Sequence, residues 1–403
     1  MAILAVNTGS SSLKFALYPL RDDGSIDEAT LTGQVEGLQA GGQPRLVWRS
    51  GTLHESVPVA GGDGDAHERA LLALQALLAT THAGSTVLAV AHRVVHGGTG
   101  FRDAVPVNAD VIAKLEALCP LAPLHQPQNV QGIRRMAAHF PGALQVACFD
   151  TAFHADLPQT EQRFALPQAL HDQGIRRYGF HGLSYQHLQA QLQRHSAHAL
   201  QRVVMAHLGS GASLCATRDG RSQATTMGFS ALDGLMMGTR CGSLDAGVIL
   251  HLLQQGWTAE RLQRLLYTES GLLGVSGMSA DMRELRASAA PAAQQAIELF
   301  THRVVREVGA LSACLDGLDV IAFTGGIGEN DAELRADVCA QLTHLDVMID
   351  ADKNQRAESG AALMVQAASS RVEVWVIPAD EARVAAEAAA KLLAKRQDGE
   401  PAR

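Results

Sequence analysis

The stretch AILAVNTGSSSLKFALYPL, residues 2–20, has the pattern of two apolar strands joined by a short polar turn. Residues 3–6 are aliphatic, residues 7–11 form turns readily, and residues 13–18 are apolar again except for Lys14. Gly9 allows the backbone to approach a ligand closely, and the hydroxyl and amide groups around it can donate hydrogen bonds. The turn is therefore a candidate phosphate-binding site, although an exposed hairpin tip would have the same pattern.

The order strand, glycine turn, strand recurs in VVMAHLGSGASLCAT, residues 203–217. A third glycine turn ends the apolar run of DVIAFTGGIGEN, residues 319–330. The first two hairpins lie about half a chain apart, which predicts two similar halves that each contribute one hairpin to a shared ligand cleft. Two such turns facing one ligand would suit a polyphosphate.

Composition is that of an ordinary globular protein and argues against several functional classes. Of 403 residues, 47% are hydrophobic and 18% charged, and the net charge of −8 argues against a nucleic-acid-binding surface. No apolar run reaches the roughly 18 residues needed to span a bilayer, and the start lacks a secretory signal pattern. The six cysteines show no C-x-x-C spacing, which indicates a reducing compartment. We expect a cytoplasmic protein without a membrane or nucleic-acid partner.

Two predicted strands carry charged residues near their carboxyl ends. The apolar run 86–98 contains Arg93, and residues 145–149 lead into Asp150. Open α/β folds bind ligands at this end of their strands. The irregular, glycine-rich stretch 228–245 presents Arg240, and long loops of this kind are usually functional.

Helical patterns cover residues 66–80, 185–195 and 290–315, and the segment after the last apolar run, starting at 380. Caps are expected at Asn108 and Ser243, and the polar segment after Gln397 is expected to fray. The histidines that show no metal-site spacing are interpreted as surface or loop residues: His96, His125, His171 and His187.

Eight motifs stand in a specific order along the chain: NTGSSSLK, RVVHGG, FDTAFH, RRYGFHG, HLGSGAS, GLMMGTR, GGIGEN and IPADE. With these motifs the chain closely resembles the acetate kinase family over essentially its whole length. The resemblance implies an α/β fold of two duplicated ribonuclease-H-like domains of the actin-like ATPase type, with mixed sheets flanked by helices and the active site in the interdomain cleft. Residues 1–150 with 381–403 would form one domain and residues 151–380 the nucleotide-binding domain.

The resemblance also implies an activity: reversible, direct in-line transfer of the γ-phosphoryl group of ATP to acetate, giving acetyl phosphate and ADP. It implies Mg²⁺ as cofactor, with Mn²⁺ as a substitute, and a homodimer. The chemistry suits the residue types, because a carboxylate nucleophile is already ionised at neutral pH and needs no general base. The protein must instead offset the negative charge of the carboxylate and of the transferring phosphoryl group. The guanidinium group of arginine suits both anions, because it can donate two parallel hydrogen bonds to either.

Individual roles follow from the matched motifs. The resemblance implies catalytic roles for Asp150, His181 and Arg240 and metal binding by Asn7 and Glu381. The substrate-binding positions correspond to Arg93, Val95, Leu124, Phe180 and Ala231, with His125 in a nearby loop. The nucleotide-binding positions correspond to Ser10, Ser12 and Lys14; to His207, Leu208, Gly209, Ser210 and Gly211; and to Asp281, Met282, Arg283, Gly325, Gly326, Ile327, Gly328, Glu329 and Asn330.

The sequence departs from the family pattern in three places. Ser210 stands where the family usually has asparagine, which weakens one side-chain contact to phosphate. Ala231 and Asp233 replace proline and glutamate, and the smaller Ala231 would leave room for a longer acyl chain, so we expect propionate to be accepted nearly as well as acetate. Leu183 and Tyr185 replace threonine and histidine beside His181.

Other functions stay open from the sequence. A kinase that prefers propionate or butyrate has the same motifs, and an ATPase of the actin and Hsp70 type without an acyl acceptor would have the same fold. Arg93 and Arg240 disfavour the ATPase, because it does not need two arginines at an anionic acceptor. A P-loop kinase is excluded by the absence of a G-x-x-x-x-G-K-[ST] run. A dinucleotide oxidoreductase is disfavoured because GGIGEN occurs late in the chain. It also lacks the acidic residue that accompanies a dinucleotide-binding glycine motif.

Overall fold

The computed structural model describes residues 1–61, 64–357 and 360–397. The chain divides into two compact units, of which unit 1 comprises Met1–Ala152 and the chain from Asp380, and unit 2 comprises Phe153–Ala379. The predicted frayed segment after Gln397 lies outside the described residues. Within the described ranges, no helix combines the length and the apolar character needed to cross a bilayer.

Unit 1 is built on a mixed sheet with the strand order β5-β4-β3-β2-β1-β6-β8-β7. The strands are β1 Ala2–Thr8, β2 Ser12–Pro19, β3 Leu31–Glu36, β4 Arg45–Ser50, β5 Leu53–Pro58, β6 Val87–Val94, β7 Val105–Pro106 and β8 Leu144–Phe149. The helices are α1 Ala66–Thr81, α2 Ala109–Ala117, α3 Gln126–His139 and α15 Glu381–Gln397, with a 3-10 turn at Cys119–Leu121.

The centre of this sheet is β1, which is buried almost throughout, as its continuous aliphatic run predicts. It pairs with β2 in antiparallel register, Ala5 opposite Ala16, and with β6 in parallel register, Ala5 opposite Ala91. Strand β8 continues the parallel part next to β6. The carboxyl ends of β1, β6 and β8 therefore lie at one edge of the sheet.

Unit 2 has a smaller mixed sheet with the order β11-β10-β9-β12-β14-β13. Its strands are β9 Val203–Leu208, β10 Ala212–Arg218, β11 Arg221–Thr225, β12 Val320–Thr324, β13 Leu363–Met364 and β14 Glu373–Val376. Its helices are α4 Gln159–Gln162, α5 Gln168–Asp172, α6 Gly182–His195, α7 Ala246–Gln254, α8 Ala259–Thr268, α9 Gly271–Ser276, α10 Met282–Arg286, α11 Pro291–Cys314, α12 Gly325–Asn330, α13 Ala332–Ala340 and α14 Ala351–Arg356. Two 3-10 turns lie at Ala152–His154 and Thr343–Leu345.

The two sheets repeat one topology, which confirms the duplication predicted from the hairpins. The order β3-β2-β1-β6-β8 in unit 1 corresponds to β11-β10-β9-β12-β14 in unit 2. In both units, the first strand along the chain (β1 or β9) pairs antiparallel with the second strand (β2 or β10). It pairs parallel with the fourth strand along the chain (β6 or β12). The first and second glycine turns join β1 to β2 and β9 to β10, so the sequence repeat reflects a structural repeat.

Helices α1, α2 and α3 pack on one face of the unit 1 sheet, the face to which Val90 and Val94 of β6 both belong. Helix α1 buries Ala70, Leu71, Leu74 and Leu77, which recur at helical spacing and pack in one cluster with Leu4, Phe15 and Trp48. The side chain of Asp65 accepts a hydrogen bond from the backbone N–H of Glu68 and caps this helix. Val111, Leu115, Val130 and Ile133 of α2 and α3 pack with Phe149 in a second cluster.

Several local predictions were wrong. Strand β3 was not predicted, because Gly33 and Gln34 interrupt its apolar pattern. Helix α7 is capped by Asp245 and not by Ser243, whose hydroxyl donates to the Asp233 carboxylate over 2.8 Å. His96 and His187 are buried, with 0% and 7% of their surface exposed, so neither is a surface residue; His96 lies in the loop after β6, whereas His187 lies within α6.

Three buried histidines couple the stability of the fold to pH. His92 Nε2 lies 2.8 Å from Gln145 Oε1, and His154 contacts Ser222 Oγ and the Phe180 carbonyl. Burial lowers the pKa of His92, His96 and His154 to about 4. In the unfolded chain these rings take up protons near pH 6.5, about the ordinary histidine value, so between pH 6.5 and 4 the unfolded state binds more protons than the folded state.

We therefore predict that the free energy of unfolding falls as the pH is lowered from 7 to 5, by about 1–2 kcal/mol for each of these histidines. Urea denaturation followed by circular dichroism at both pH values measures this loss. The variant His92→Gln should show a smaller loss than the wild type, whereas His54→Gln, at an exposed position of β5, should not change it. A pH-independent midpoint in the wild type would contradict the prediction.

Candidate active site

Three predicted site residues lie at the same edge of the unit 1 sheet. Asn7 is in β1, Arg93 in β6, and Asp150 follows β8 directly. These strands are adjacent and parallel, and Val6 is opposite His92. The fold thus brings together side chains that are more than fifty residues apart, at the strand ends where ligands bind in sheets of this kind.

Arg93 is held by two carboxylates. Its Nε and Nη2 donate to Asp150 at 2.8 to 3.2 Å, and its Nη1 lies 2.8 Å from Glu381 Oε2 at the start of α15. Burial alone would lower the pKa of Arg93, but the charges of Asp150 and Glu381 raise it above its ordinary value. The guanidinium is therefore fixed in place as a permanent cation.

Two buried amides of α3 support this edge, and sequence analysis missed both. Asn129 accepts a hydrogen bond from the backbone N–H of Val95 and donates to the Thr8 carbonyl, which joins the ends of β6 and β1. Gln126 pairs with both the N–H and the carbonyl of His96. Both lie within the stretch LAPLHQPQN, residues 121–129, and these amides were the available signal.

The first glycine turn carries exposed donors. The backbone N–H of Gly9 donates to the Ser12 carbonyl over 2.9 Å, and the Gly9 carbonyl lies 2.9 Å from His67 Nε2. Ser10 and Lys14 are exposed, and Ser12 is half-buried. The turn is fixed at its base, while the predicted phosphate-binding side chains remain accessible.

The second glycine turn, Gly209–Gly211, lies against two cationic or donor side chains. The Gly209 N–H donates to the Gly211 carbonyl over 3.0 Å, which closes the turn. A methyl group built on Gly211 would lie 3.3 Å from both Arg240 Nη2 and His181 Nε2. The absence of a side chain at Gly211 therefore leaves the backbone close to both groups, which is the geometry an anion-binding turn requires.

His181 has an unusual backbone conformation for a residue with a side chain. It precedes helix α6 with φ of 58°, in the left-handed region. Such strain persists where surrounding contacts outweigh it, and it is common at functional sites. The His181 ring lies against the His207 ring, with centroids 4.3 Å apart and the ring planes tilted by 32°. Arg240 Nη1 donates to the Ala231 carbonyl over 2.7 Å, which orients the guanidinium.

The third glycine turn begins helix α12. Gly325 has φ of +80°, and a methyl group there would lie 2.7 Å from the Leu208 carbonyl, so the position requires glycine. The Glu329 carboxylate turns back and accepts hydrogen bonds from the backbone N–H groups of Gly325 and Ala379. The Glu329 side chain thus stabilises the turn by accepting hydrogen bonds from its backbone and from that of Ala379.

A cavity of about 1140 Å³ in unit 2 borders the second and third glycine turns. Its volume is sufficient for a nucleoside with phosphates. Among the predicted nucleotide-binding residues, the lining includes Gly209, Ser210, Asp281, Met282, Arg283, Gly326, Ile327 and Asn330. It also includes residues without a predicted role, among them Arg286 and Gln355.

Other predicted residues do not line this cavity. Leu208, Gly325 and Gly328 are buried and shape the turns. In unit 2, Phe180 is 2% exposed and lies next to His181. In unit 1, Leu124 is 40% exposed, and the half-buried His125 precedes α3.

Comparison with known proteins identifies the family. The model of the acetokinase family matches residues 2–387. The chain belongs to the acetokinase family. An acetate kinase of Rhodopseudomonas palustris strain TIE-1 is 49% identical over 382 residues, which cover 94% of this chain and 95% of the relative.

Solved structures of the acetokinase type have the same fold. The acetate kinase of Porphyromonas gingivalis is similar with a TM-score of 0.87 and 33% identity, covering 97% of this chain and 99% of the other. A propionate kinase of Francisella tularensis is similar with a TM-score of 0.88 and 35% identity, covering 96% and 98%. The predicted family and fold are confirmed, and with them the class of kinase that phosphorylates a carboxylate. The roles of individual residues stay predictions.

Proposed function

We propose that this chain is an acetate kinase, which transfers the γ-phosphoryl group of ATP to acetate and runs reversibly. The observation that carries the proposal is the meeting of Arg240 and His181 at the Gly209–Gly211 turn, beside the large cavity of unit 2. A glycine turn with an arginine and an imidazole suits a phosphoryl group, and the cavity suits the nucleoside behind it.

In the proposed reaction one carboxylate oxygen of acetate attacks the γ-phosphorus of ATP. A bond forms between that oxygen and phosphorus while the bond from phosphorus to the bridging oxygen breaks, and ADP leaves with the electron pair. Charge spreads over the oxygens of the transferring group, where Arg240 Nη2 and His181 Nε2 would donate hydrogen bonds. Arg93 would bind the acetate carboxylate through N–H groups not engaged by Asp150 and Glu381.

The unit 1 residues fit a magnesium ion. The carboxylates of Asp150 and Glu381 and the amide of Asn7 are the oxygen ligands that Mg²⁺ prefers. Across the described ranges, no cluster of three or more histidine, cysteine or acidic side chains forms a complete metal cage. Mg²⁺ keeps several waters and binds substrate phosphates, so one or two protein ligands are enough to hold it. When bound, the ion would offset phosphate charge; Asn7 and Glu381 would hold it, and Mn²⁺ would substitute.

We predict that Arg240→Ala lowers kcat by a factor on the order of 10³, because phosphoryl transfer depends on cationic donors at the transferring group. The measurement is ADP formation from Mg-ATP with and without acetate. Guanidinium ion added to the variant should restore part of the rate. Arg371→Ala, which removes a surface arginine with 84% of its side chain exposed, is the matched control and should leave kcat unchanged.

A second arginine substitution separates catalysis from folding. Asp150 is 2% exposed, so Arg93→Ala would leave a buried carboxylate without its cation and destabilise unit 1. Arg93→Lys keeps the positive charge but loses the planar guanidinium that donates two parallel hydrogen bonds, and it should also lower kcat strongly. Full acetate-dependent turnover in Arg240→Ala or Arg93→Lys would remove that residue from the proposed site. Equal turnover with and without acetate in the wild type would contradict the acetate kinase assignment.

Propionate is a second candidate acceptor, and Ala231 is the observation that favours it. The side chain is small, and the bond to Arg240 uses the backbone carbonyl of Ala231, which any residue provides. We predict a propionate kcat/KM within tenfold of that for acetate, and a selective loss of propionate activity in Ala231→Pro, since one methylene is worth about 1–3 kcal/mol. The acetate activity of the variant is the internal control. A wild-type propionate kcat/KM more than a hundredfold below acetate would contradict this.

We propose that two copies of the chain associate through helix α7. Val248, Leu250 and Leu253 of this helix are 41%, 60% and 44% exposed, and none of its residues is buried. Residues 246–257 contain no Asp, Glu, Lys or Arg, so this face would match a second copy of itself without burying a carboxylate, an ammonium or a guanidinium group.

The dimer proposal predicts that Leu250→Glu shifts the protein from dimer to monomer, because the charge would be buried at the interface. Size-exclusion chromatography with light scattering measures the mass. Leu200→Glu places the same charge on another leucine of unit 2, which is 48% exposed, and should leave the dimer intact. A monomeric wild type at micromolar concentration would refute the proposal.

The remaining assignments concern organisation and location. We propose that units 1 and 2 are the two domains of the enzyme, with boundaries near residues 150 and 380. All six cysteines are free thiols, and Cys148, Cys215 and Cys339 are buried. This supports a reducing compartment, and we propose the cytoplasm.

A further inference from the structure

A buried tyrosine lies behind His181, at a position where the family usually has histidine. Tyr185 is in α6, and none of its surface is exposed. Its ring packs near Phe153 and His154, with centroids 6.1 and 5.7 Å away. Its hydroxyl reaches Ser213 of β10, at an oxygen–oxygen distance of 2.5 Å. Ser213 Oγ in turn lies 2.8 Å from His181 Nδ1.

The direction of these two hydrogen bonds follows from counting donors. Among the described residues, Ser213 Oγ is the hydrogen-bond partner of the Tyr185 hydroxyl. Burial raises the pKa of Tyr185 well above its ordinary value, so the phenol keeps its proton and needs an acceptor. If Tyr185 donates to Ser213, the serine proton is free to point at His181 Nδ1. In the reverse direction the phenol proton would be buried without a partner, which costs about 1–3 kcal/mol.

The same count excludes a proton on His181 Nδ1. If both the imidazole and the phenol donated to Ser213, the serine proton would be left without an acceptor, because Ser213 is fully buried and these are its two side-chain partners within the described residues. His181 Nδ1 is therefore the acceptor, and its ring proton is on Nε2.

The Nε2 atom of His181 is on the side of the second glycine turn. It would lie 3.3 Å from a methyl group on Gly211, at the same distance as Arg240 Nη2. The neighbouring ring of His207 is held in the same manner, with Nδ1 2.8 Å from Ser184 Oγ. Ser184 and Tyr185 are consecutive residues of α6, so the first turn of this helix controls the orientation of both imidazoles.

We propose that Tyr185 is a positioning residue for phosphoryl transfer: through Ser213, it fixes His181 as the tautomer that donates from Nε2. This inference rests on the proposed function, because the Nε2 proton serves the charge that develops on the transferring group. The left-handed backbone of His181 and the serine relay together hold the ring in one orientation.

The first test compares kinetic constants. In Tyr185→Phe the ring remains and the hydroxyl is lost, so Ser213 is free to turn its proton away from His181. We expect kcat to fall about tenfold while KM for ATP and acetate changes less than twofold, since the affected bond forms to charge that develops in the transition state. A change confined to KM, or an unchanged kcat, would overturn the proposal.

The second test asks whether Tyr185 acts through Ser213. The variant Ser213→Ala should lower kcat at least as much as Tyr185→Phe, and the double variant should be no slower than Ser213→Ala alone. Additive losses would overturn the relay. Tyr178→Phe is the matched control: Tyr178 is 7% exposed and its hydroxyl donates to the Gly174 carbonyl over 2.8 Å, so the variant loses a comparable bond away from His181. Its kcat should match that of the wild type.

The third test does not depend on activity. In protein labelled with ¹⁵N-histidine, the His181 signals, assigned by their loss in His181→Gln, should show an unprotonated Nδ1 and a protonated Nε2. Tyr185→Phe should shift the signals toward a mixture of tautomers. A protonated Nδ1 in the neutral wild-type ring would overturn the proposal. A wild type without acyl kinase activity would overturn the proposed function. The NMR spectrum would still show whether Tyr185 and Ser213 fix the tautomer of His181.

Discussion

The ion pairs of Arg93 with Asp150 and Glu381 join three separate segments of unit 1 at one point. Strand β6, the end of β8 and the first turn of α15 come from positions 93, 150 and 381, and each contributes one charged group. Asp150 is nearly inaccessible, and the arginine beside it offsets its negative charge. The parallel pairing of β1, β6 and β8 makes this arrangement possible, because it sets the strand ends side by side.

Unit 2 repeats the topology but uses its strand ends differently. The turn after β1 has hydroxyl groups and a lysine, whereas the turn after β9 has bare glycines with two imidazoles and Arg240 nearby. In unit 1 the fixed charges come from an arginine between carboxylates. In unit 2 the fixed charge comes from an arginine held by a backbone carbonyl, and imidazoles held by serines add hydrogen-bonding nitrogens. One duplicated framework thus carries an acidic site in one copy and a donor-rich site in the other.

Much of this could be predicted from the sequence, for identifiable reasons. The hairpins β1–β2 and β9–β10 were predictable because their apolar runs and glycine turns are local patterns. Arg93 and Asp150 could be placed at strand ends, and the ordered motifs indicated the family. The relay from Tyr185 to His181 could not be predicted, because it depends on Ser213, twenty-eight residues away on another strand. The Ser243 cap was mispredicted for a similar reason: a tertiary partner, Asp233, engages its side chain.

The bond between Arg240 and residue 231 has an evolutionary consequence. Because the acceptor is a main-chain carbonyl, every amino acid at position 231 can orient the guanidinium equally well. With the roles proposed for Ala231 and Arg240, mutations at position 231 would alter which acyl group fits without disturbing the guanidinium at the transferring phosphoryl group. Selectivity and catalytic power would then be separable traits in this loop, and a lineage could explore new acyl substrates by single substitutions while its enzyme stays active.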